Sequence, residues 1–287
     1  MSLANWPASS RRKGKGLPRK VGLSVSNIAF PVGELEAALA LLVELDIDTL
    51  EVAPHNVFGR WDVSGAEIDT FRKRLADAGM RCIALQGILF NAGEAHLFAS
   101  AESREALYRH LVLVARMAGQ LGAGASVFGA PRLRDPGDLE PEQARAIAVD
   151  FLRRIGGVFA SEGTILSFEP NSRHYACRFV TTTGEAIDLM KEVSVPGVGL
   201  QIDTGTVFLE HEEPDVLIRA APYAAHAHVS EPDLAPVGSS DVDHHAVSEA
   251  LRNSGYAGSL SIEMKVTGDW PSAVRRAVAF TRETYWR

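Results

Sequence analysis

Residues 259–265 read SLSIEMK, and the alternation within those seven letters sets the terms for the rest of the chain. Leu260, Ile262 and Met264 share one phase of a strand, while Ser261, Glu263 and Lys265 share the other. Successive side chains on a strand point to opposite faces, so Glu263 and Lys265 point together, away from the apolar side. A carboxylate on the inner face of a buried strand needs a partner. The same alternation occurs three times upstream. LSFE sets Ser167 and Glu169 against Leu166 and Phe168, and LQID sets Gln201 and Asp203 against Leu200 and Ile202. HAHV sets His226 and His228 against Ala227 and Val229.

These four segments belong to a longer series. Short apolar strands are predicted at 20–28, 49–54, 81–87, 125–130, 164–170, 198–205, 224–230 and 259–265. Amphipathic helical stretches alternate with them at 32–48, 64–79, 101–121, 140–162, 183–193, 213–221, 243–254 and 271–285. Acid or hydroxyl residues mark many helix starts, and glycines mark ends, as in SEGT and NSGYAG. Eight unbroken strand–helix units have a closed solution, the (β/α)8 barrel, which takes about 250 residues. An open doubly wound sheet would carry a glycine-rich phosphate turn after its first strand, and LSVSNIAFPVG has none. The glycines of GQLGAGASVFGA follow a helix and precede a strand, the wrong order for a dinucleotide site, and read as helix ends and tight turns. The expected organisation is a flexible basic arm over 1–19 followed by one barrel domain over 20–287.

Composition narrows the partners. The chain has 287 residues, 46% hydrophobic and 23% charged, which is ordinary for a globular protein. Cys82 and Cys177 are its only cysteines, too few for a disulfide framework, which points to a reducing, cytoplasmic setting. No run approaches the roughly 18 apolar residues of a membrane span, and no apolar stretch of signal-peptide type opens the sequence. Residues 1–20 hold six cations and no acid, so the net charge of −7 leaves −13 on the remainder. An acidic body repels phosphate backbones, so neither a nucleic acid nor a membrane is the expected partner. The basic arm reads as a tail.

On a barrel, Glu169, Asp203, His228 and Glu263 stand at the C-terminal ends of consecutive strands, where active sites of this fold sit. Successive members lie 34, 25 and 35 residues apart, about one strand–helix–strand unit each. Three carboxylates that close repel unless a positive charge sits among them. A single divalent cation removes the conflict: Mn²⁺ or Mg²⁺ by ligand hardness, with Co²⁺ or Zn²⁺ also admissible.

The segments SFEPN, LQIDTG, HAHVSEPD and GYAGSLSIEMK resemble those of the xylose isomerase-like TIM barrels, which include sugar isomerases and epimerases of the ketose 3-epimerase and hydroxypyruvate isomerase type. The resemblance covers nearly the whole chain after the arm. It implies metal ligation by Glu169, Asp203, His228 and Glu263, and catalysis by Glu169 and Glu263 from opposite faces of a bound sugar. It also implies a substrate contact at Glu231. Three positions depart from the pattern of the epimerases: Thr206 stands where a His is common, Leu234 where an Arg is common, and Tyr175 where a Glu is common. All three places handle substrate rather than metal.

The chemistry expected is proton abstraction next to the carbonyl of a sugar or sugar phosphate, through an enediolate whose charge the cation stabilises. Return of the proton to the other face of the same carbon epimerises, return to the neighbouring carbon isomerises, and loss of a β-hydroxyl dehydrates. Further candidate substrate contacts are His55, Asn56 and Gln86 after the second and third strands, and Asn171, Arg173 and His174 after the fifth. Lys265, His226 and Glu231 complete the set, with His226 also readable as a buried residue supporting His228. Asp243 in DVDHH is expected to cap a helix, and the acidic loop LEHEEPD to be solvated. Tyr285 and Trp286 could lie at a homo-oligomer contact or on the barrel's own surface. Competing readings are an inosose or dehydroshikimate type of dehydratase, an endonuclease IV-like nuclease, and a non-catalytic sugar-binding barrel.

Overall fold

Leu23 pairs with Leu260 and Val25 with Ile262, and this parallel pairing of the first strand with the last closes the sheet. The computed structural model describes residues 22–285. The strands are β1 (Leu23–Ser26), β2 (Thr49–Val52), β3 (Arg81–Leu85), β4 (Ala125–Phe128), β5 (Ile165–Phe168), β6 (Val198–Asp203), β7 (Ala224–Val229) and β8 (Leu260–Ile262). They form one closed parallel barrel in chain order. The basic arm and Trp286 lie outside the described residues.

Each helix buries an apolar stripe against the sheet. The outer ring comprises α1 (Leu35–Glu44), α3 (Gly65–Asp77), α4 (Ala101–Leu121), α5 (Pro141–Ser161), α6 (Thr183–Val193), α8 (Val216–Ala220), α9 (His244–Asn253) and α10 (Trp270–Tyr285). Several of their starts carry side-chain caps: Ser64 and Glu67 form a reciprocal capping box, and Thr182 accepts from Glu185 N–H. Asp243 accepts from Ala246 N–H, as expected for DVDHH. Two short helices, α2 (Pro54–Phe58) and α7 (Thr204–Leu209), follow β2 and β6 directly, where strand or loop was expected.

The phase argument holds for the second half of the barrel. Leu166, Phe168, Leu200, Ile202, Ala227, Val229, Leu260 and Ile262 are buried in the layer between sheet and helices. Full burial of such a side chain stabilises by about 1.5–3 kcal/mol relative to exposure. The opposite phase fills the barrel interior with polar groups, several of which bond to one another, although Gln201 Nε2 has no partner. Ser167 Oγ donates to Gln201 Oε1 at 2.8 Å, and His226 Nε2 lies 3.1 Å from Ser261 Oγ.

Two expectations are corrected. The acidic loop 209–215 is solvated only in part: His211, Glu213 and Asp215 are exposed, but Glu210 accepts from Ser172 Oγ and Arg173 N–H, both at 2.7 Å, and Glu212 accepts from Thr183 and Gly184 N–H at the start of α6. Not all glycines of GQLGAGASVFGA are turns. Gly122 ends α4 with φ of +75°, but Gly129 is a site of close approach, where a Cβ would overlap Glu169 Oε2.

Elsewhere, Gly197 lets the chain pass under α5 into β6. A Cβ there would overlap the Gly156 carbonyl and stand 2.6 Å from Ala160 N, on a backbone at φ +80°. Overpacking and a strained φ each cost about 1–3 kcal/mol. Gly197→Ala is therefore expected to lower the unfolding free energy by at least ~2 kcal/mol in urea titrations. An unchanged midpoint would show that α5 can yield there.

Candidate active site and metal centre

His228 is the centre of the site, and its two ring nitrogens face different partners. Nε2 lies 3.0 Å from Glu51 Oε1 on β2. Nδ1 lies 3.1 Å from Glu263 Oε2 and 3.4 Å from Glu169 Oε1, yet has no hydrogen bond to either. The ring is fully buried. Burial works against its charged form, but the carboxylates of Glu263 and Glu51 outweigh it and raise its pKa well above the usual histidine value.

Glu51 was not anticipated as a site residue. It is also fully buried, takes His226 Nε2 at 3.3 Å, and accepts from Gln86 Nε2 at 3.3 Å through its second oxygen. Burial opposes its ionisation, yet the two imidazoles hold its pKa far below the ordinary carboxylate range. An ionised Glu51 that accepts from His228 Nε2–H fixes one tautomer and leaves Nδ1 as the nitrogen free to coordinate. The signal for it was present: TLEV alternates as LSFE does, with Leu50 and Val52 outward and Glu51 inward.

The donor atoms of Glu169, His228 and Glu263 all lie within 4.8 Å of one another. An orphaned buried nitrogen between two carboxylate oxygens is a donor set that suits a divalent cation better than it suits the residues alone. Asp203, opposite His228 in the β6–β7 register, stands just outside this trio. Its carboxylate is drawn into the start of α7, accepting from Thr206 Oγ1 at 2.7 Å, Thr206 N–H at 3.0 Å and the Ser230 hydroxyl. Burial, and then the charge of Glu169, raise its pKa. Gly205 N–H is a fourth donor, so each oxygen accepts two hydrogen bonds, and Asp203 would have to give one of them up for the set to close around an ion.

Glu169 and Glu263 line a cleft of about 460 Å³ at the barrel mouth. The remaining wall comes from the segments after β3 and β4: Gln86 to Asn91, and Gly129 to Arg132 with Val127. Of the expected substrate contacts, Gln86 lines the cleft while donating to Glu51 and Ser26. His55 packs its ring against Phe90 at 4.8 Å and lies 3.4 Å from Asn91 Nδ2. Asn171 donates to Glu169 Oε2 at 2.8 Å.

Others are placed apart from the cleft. Asn56 lines a separate pocket beside Asn27 and Phe30. Arg173 is paired with Glu210 at 2.6 Å, and His174 with Asp233 at 2.8 Å. Lys265 is exposed and makes no ion pair among the described residues. His226 is buried below His228. Glu231 is sealed and fully engaged, accepting from Ser239 N–H, Ser240 N–H, Gly238 N–H and His244 Nε2. His244 in turn holds the buried Tyr285 hydroxyl at 2.8 Å, so that tyrosine is covered by the barrel itself.

The model of the xylose isomerase-like TIM barrel family matches residues 39–284. The chain belongs to that family. It is 24% identical over 233 residues to the L-ribulose 3-epimerase of Mesorhizobium japonicum, covering 80% of this chain and 75% of that one. It is 25% identical over 233 residues to the D-psicose 3-epimerase of Agrobacterium fabrum, covering 77% and 76%. Among solved structures, a D-psicose 3-epimerase crystallised in the presence of D-fructose superposes with a TM-score of 0.77 at 20% identity, over 92% of this chain and 99% of that one. These relatives are named epimerases, a class of isomerase.

The three departures of this xylose isomerase-like barrel have physical consequences. Thr206 puts a hydroxyl on Asp203 where an imidazole would otherwise reach outward. Leu234, at φ +53°, spends its carbonyl on Lys265 N–H at 2.9 Å, which fixes the chain after β8. Tyr175 accepts from Asp233 N–H at 2.8 Å, and burial, with the charges of Asp203 and Glu263 also contributing, raises its pKa, so it stays a neutral phenol. No described helix is long and apolar enough to cross a membrane.

Glu231 gives a pH-dependent test of its structural role. Burial works against the charged form, but His244 and the N–H groups of the 238–240 loop hold its pKa below the usual value. A group depressed in the folded state adds stability above its unfolded pKa, and that contribution is lost as pH falls toward the folded value. Glu231→Gln is expected to cost about 2–3 kcal/mol near pH 7. The gap to the parent should narrow as unfolding is measured at progressively acid pH. A raised KM with unchanged stability would instead return Glu231 to the substrate.

Proposed function

We propose that this chain is a divalent-metal-dependent sugar epimerase that moves a proton at a carbon next to a carbonyl. The observation that carries the reading is the pair of cleft-lining carboxylates, Glu169 and Glu263, converging on the unsatisfied Nδ1 of His228. The names of the relatives support the same class, acting on free ketoses.

Glu169, Asp203, His228 and Glu263 would hold the cation, and three carboxylates with one imidazole favour Mn²⁺ or Mg²⁺. When bound, such an ion draws charge from the substrate carbonyl and lowers the cost of removing the neighbouring proton. The rest falls to the chain. Glu51 keeps Nε2–H of His228 occupied, so Nδ1 is the nitrogen that would be offered to a cation. One of Glu169 and Glu263 accepts the substrate proton, and the other supplies one from the opposite side. The mostly apolar wall, Ile88, Leu89, Phe90 and Val127, excludes water and gives the sugar's C–H face a surface to rest on.

The test combines metal content with solvent isotope. Equilibration with Mn²⁺ followed by elemental analysis is expected to show about one ion per chain, lost in Asp203→Ala. Ketoses incubated in D₂O should take up deuterium at the epimerised carbon, and Glu169→Gln or Glu263→Gln should slow this by ~10²–10⁴-fold. Release of water without an epimer would identify a dehydratase. Two or three ions per chain would favour the nuclease type, and none would sink the metal assignment.

A further inference from the structure

Arg134 is fully buried, carries a charge, and does not line the cleft. It sits in the 3₁₀ turn Pro131–Arg134 after β4, behind the end of β5, with its guanidinium 4.7 Å from the centre of the Phe168 ring. Its Nη2 donates to Asn171 Oδ1 at 2.7 Å, while Nε and Nη1 have no hydrogen-bond partner. A buried cation with two unsatisfied nitrogens is costly and calls for a reason.

The reason lies one bond further on. Asn171 Nδ2 donates to Glu169 Oε2, so the amide is clamped between Arg134 and the carboxylate. A guanidinium can only donate and an ionised carboxylate can only accept, so the amide fits in one sense, carbonyl to Arg134 and NH₂ to Glu169. Turning it over would break both bonds and set like dipoles against each neighbour. The bare Cα of Gly129 leaves the room into which Oε2 is drawn. With Oε2 held there, Oε1 is the oxygen left toward His228 Nδ1.

We propose that Arg134 is a positioning residue for Glu169, acting through Asn171 to fix which carboxylate oxygen faces the metal and substrate. The inference rests on the epimerase reading for its catalytic consequence, though not for its geometry. Nothing in PRLRD marks Arg134 in the sequence, because a basic residue in a loop ordinarily reads as solvated.

The experiment is a double-variant cycle on the full chain. Arg134→Met nearly keeps the volume and removes two unsatisfied nitrogens while leaving Asn171 Oδ1 without its donor, so the two effects offset and the protein should melt near the wild-type temperature. Its Mn²⁺ dissociation constant, by titration calorimetry, should rise about 10- to 100-fold. The turnover number for deuterium uptake should fall more than KM changes, and Arg134→Lys should recover part of the loss. Asn171→Leu should give the same losses, and adding Arg134→Met to it should cost nothing further, because both act through one bond. Wild-type Mn²⁺ affinity and turnover in Arg134→Met would overturn the proposal, as would losses that simply add. A lowered melting temperature with normal affinity would also overturn it, by making Arg134 purely structural. Should the wild type bind no Mn²⁺, the epimerase reading fails, and a crystal structure of Arg134→Met decides the inference alone: a turned Glu169 carboxylate upholds it, and an unmoved one overturns it.

Discussion

One imidazole is shared between opposing carboxylates, and the arrangement of the barrel mouth follows from that sharing. His228 gives Nε2 to Glu51 and leaves Nδ1 to Glu169 and Glu263. Without Glu51 the ring could present either nitrogen, and the two glutamates would have no fixed centre to converge on. The Glu51–His228 contact also spans 177 residues of sequence, so the geometry at the mouth depends on a fully closed sheet.

That arrangement is costly to build, and the polar interior absorbs the cost. Carboxylates removed from water are penalised by several kcal/mol each unless paired. Here every buried acid has a defined set of donors: two imidazoles and Gln86 for Glu51, Thr206 and Ser230 for Asp203, Asn171 for Glu169. Amid these acids, His228 Nδ1 is left without a hydrogen bond, on the side where a cation would sit. The site is thus rigid below and open above, as a centre must be that holds an ion and still admits a substrate.

Much of this was legible in the residues, and the remainder was hidden for physical reasons. Period-two alternation in LSFE, LQID, HAHV and LSIE is a strong signal, because each strand is short and buried on both faces. It placed the last four strands and brought Glu169, His228 and Glu263 to one point. Glu51 carried the same alternation, next to last in β2 as His228 is in β7, but stands outside the run of four consecutive strands on which the reading was built. The loop residues fared worse. Arg173, His174 and Glu231 were each a plausible sugar contact by position, yet their bonds go to Glu210, Asp233 and a backbone loop. Spacing along a chain says where a loop begins; only packing says which way its side chains turn. Arg134 is the extreme case, a charge whose role exists only through the amide it holds.

The closed barrel also divides its labour along the chain. The residues proposed to hold an ion, Glu169, Asp203, His228 and Glu263, all come from the β5–β8 half, whereas the rest of the cleft wall comes from the segments after β3 and β4. Reactivity and selectivity are therefore inherited through different stretches of sequence. Substitutions in 87–91 and 130–132 can re-cut the shape of the cavity while the other half stays untouched; Gln86, which donates to Glu51, and Gly129, which leaves space for Glu169, are the exceptions in this wall. On the proposed epimerase reading, a lineage built this way could change what it accepts without rebuilding the carboxylates and imidazole at the mouth.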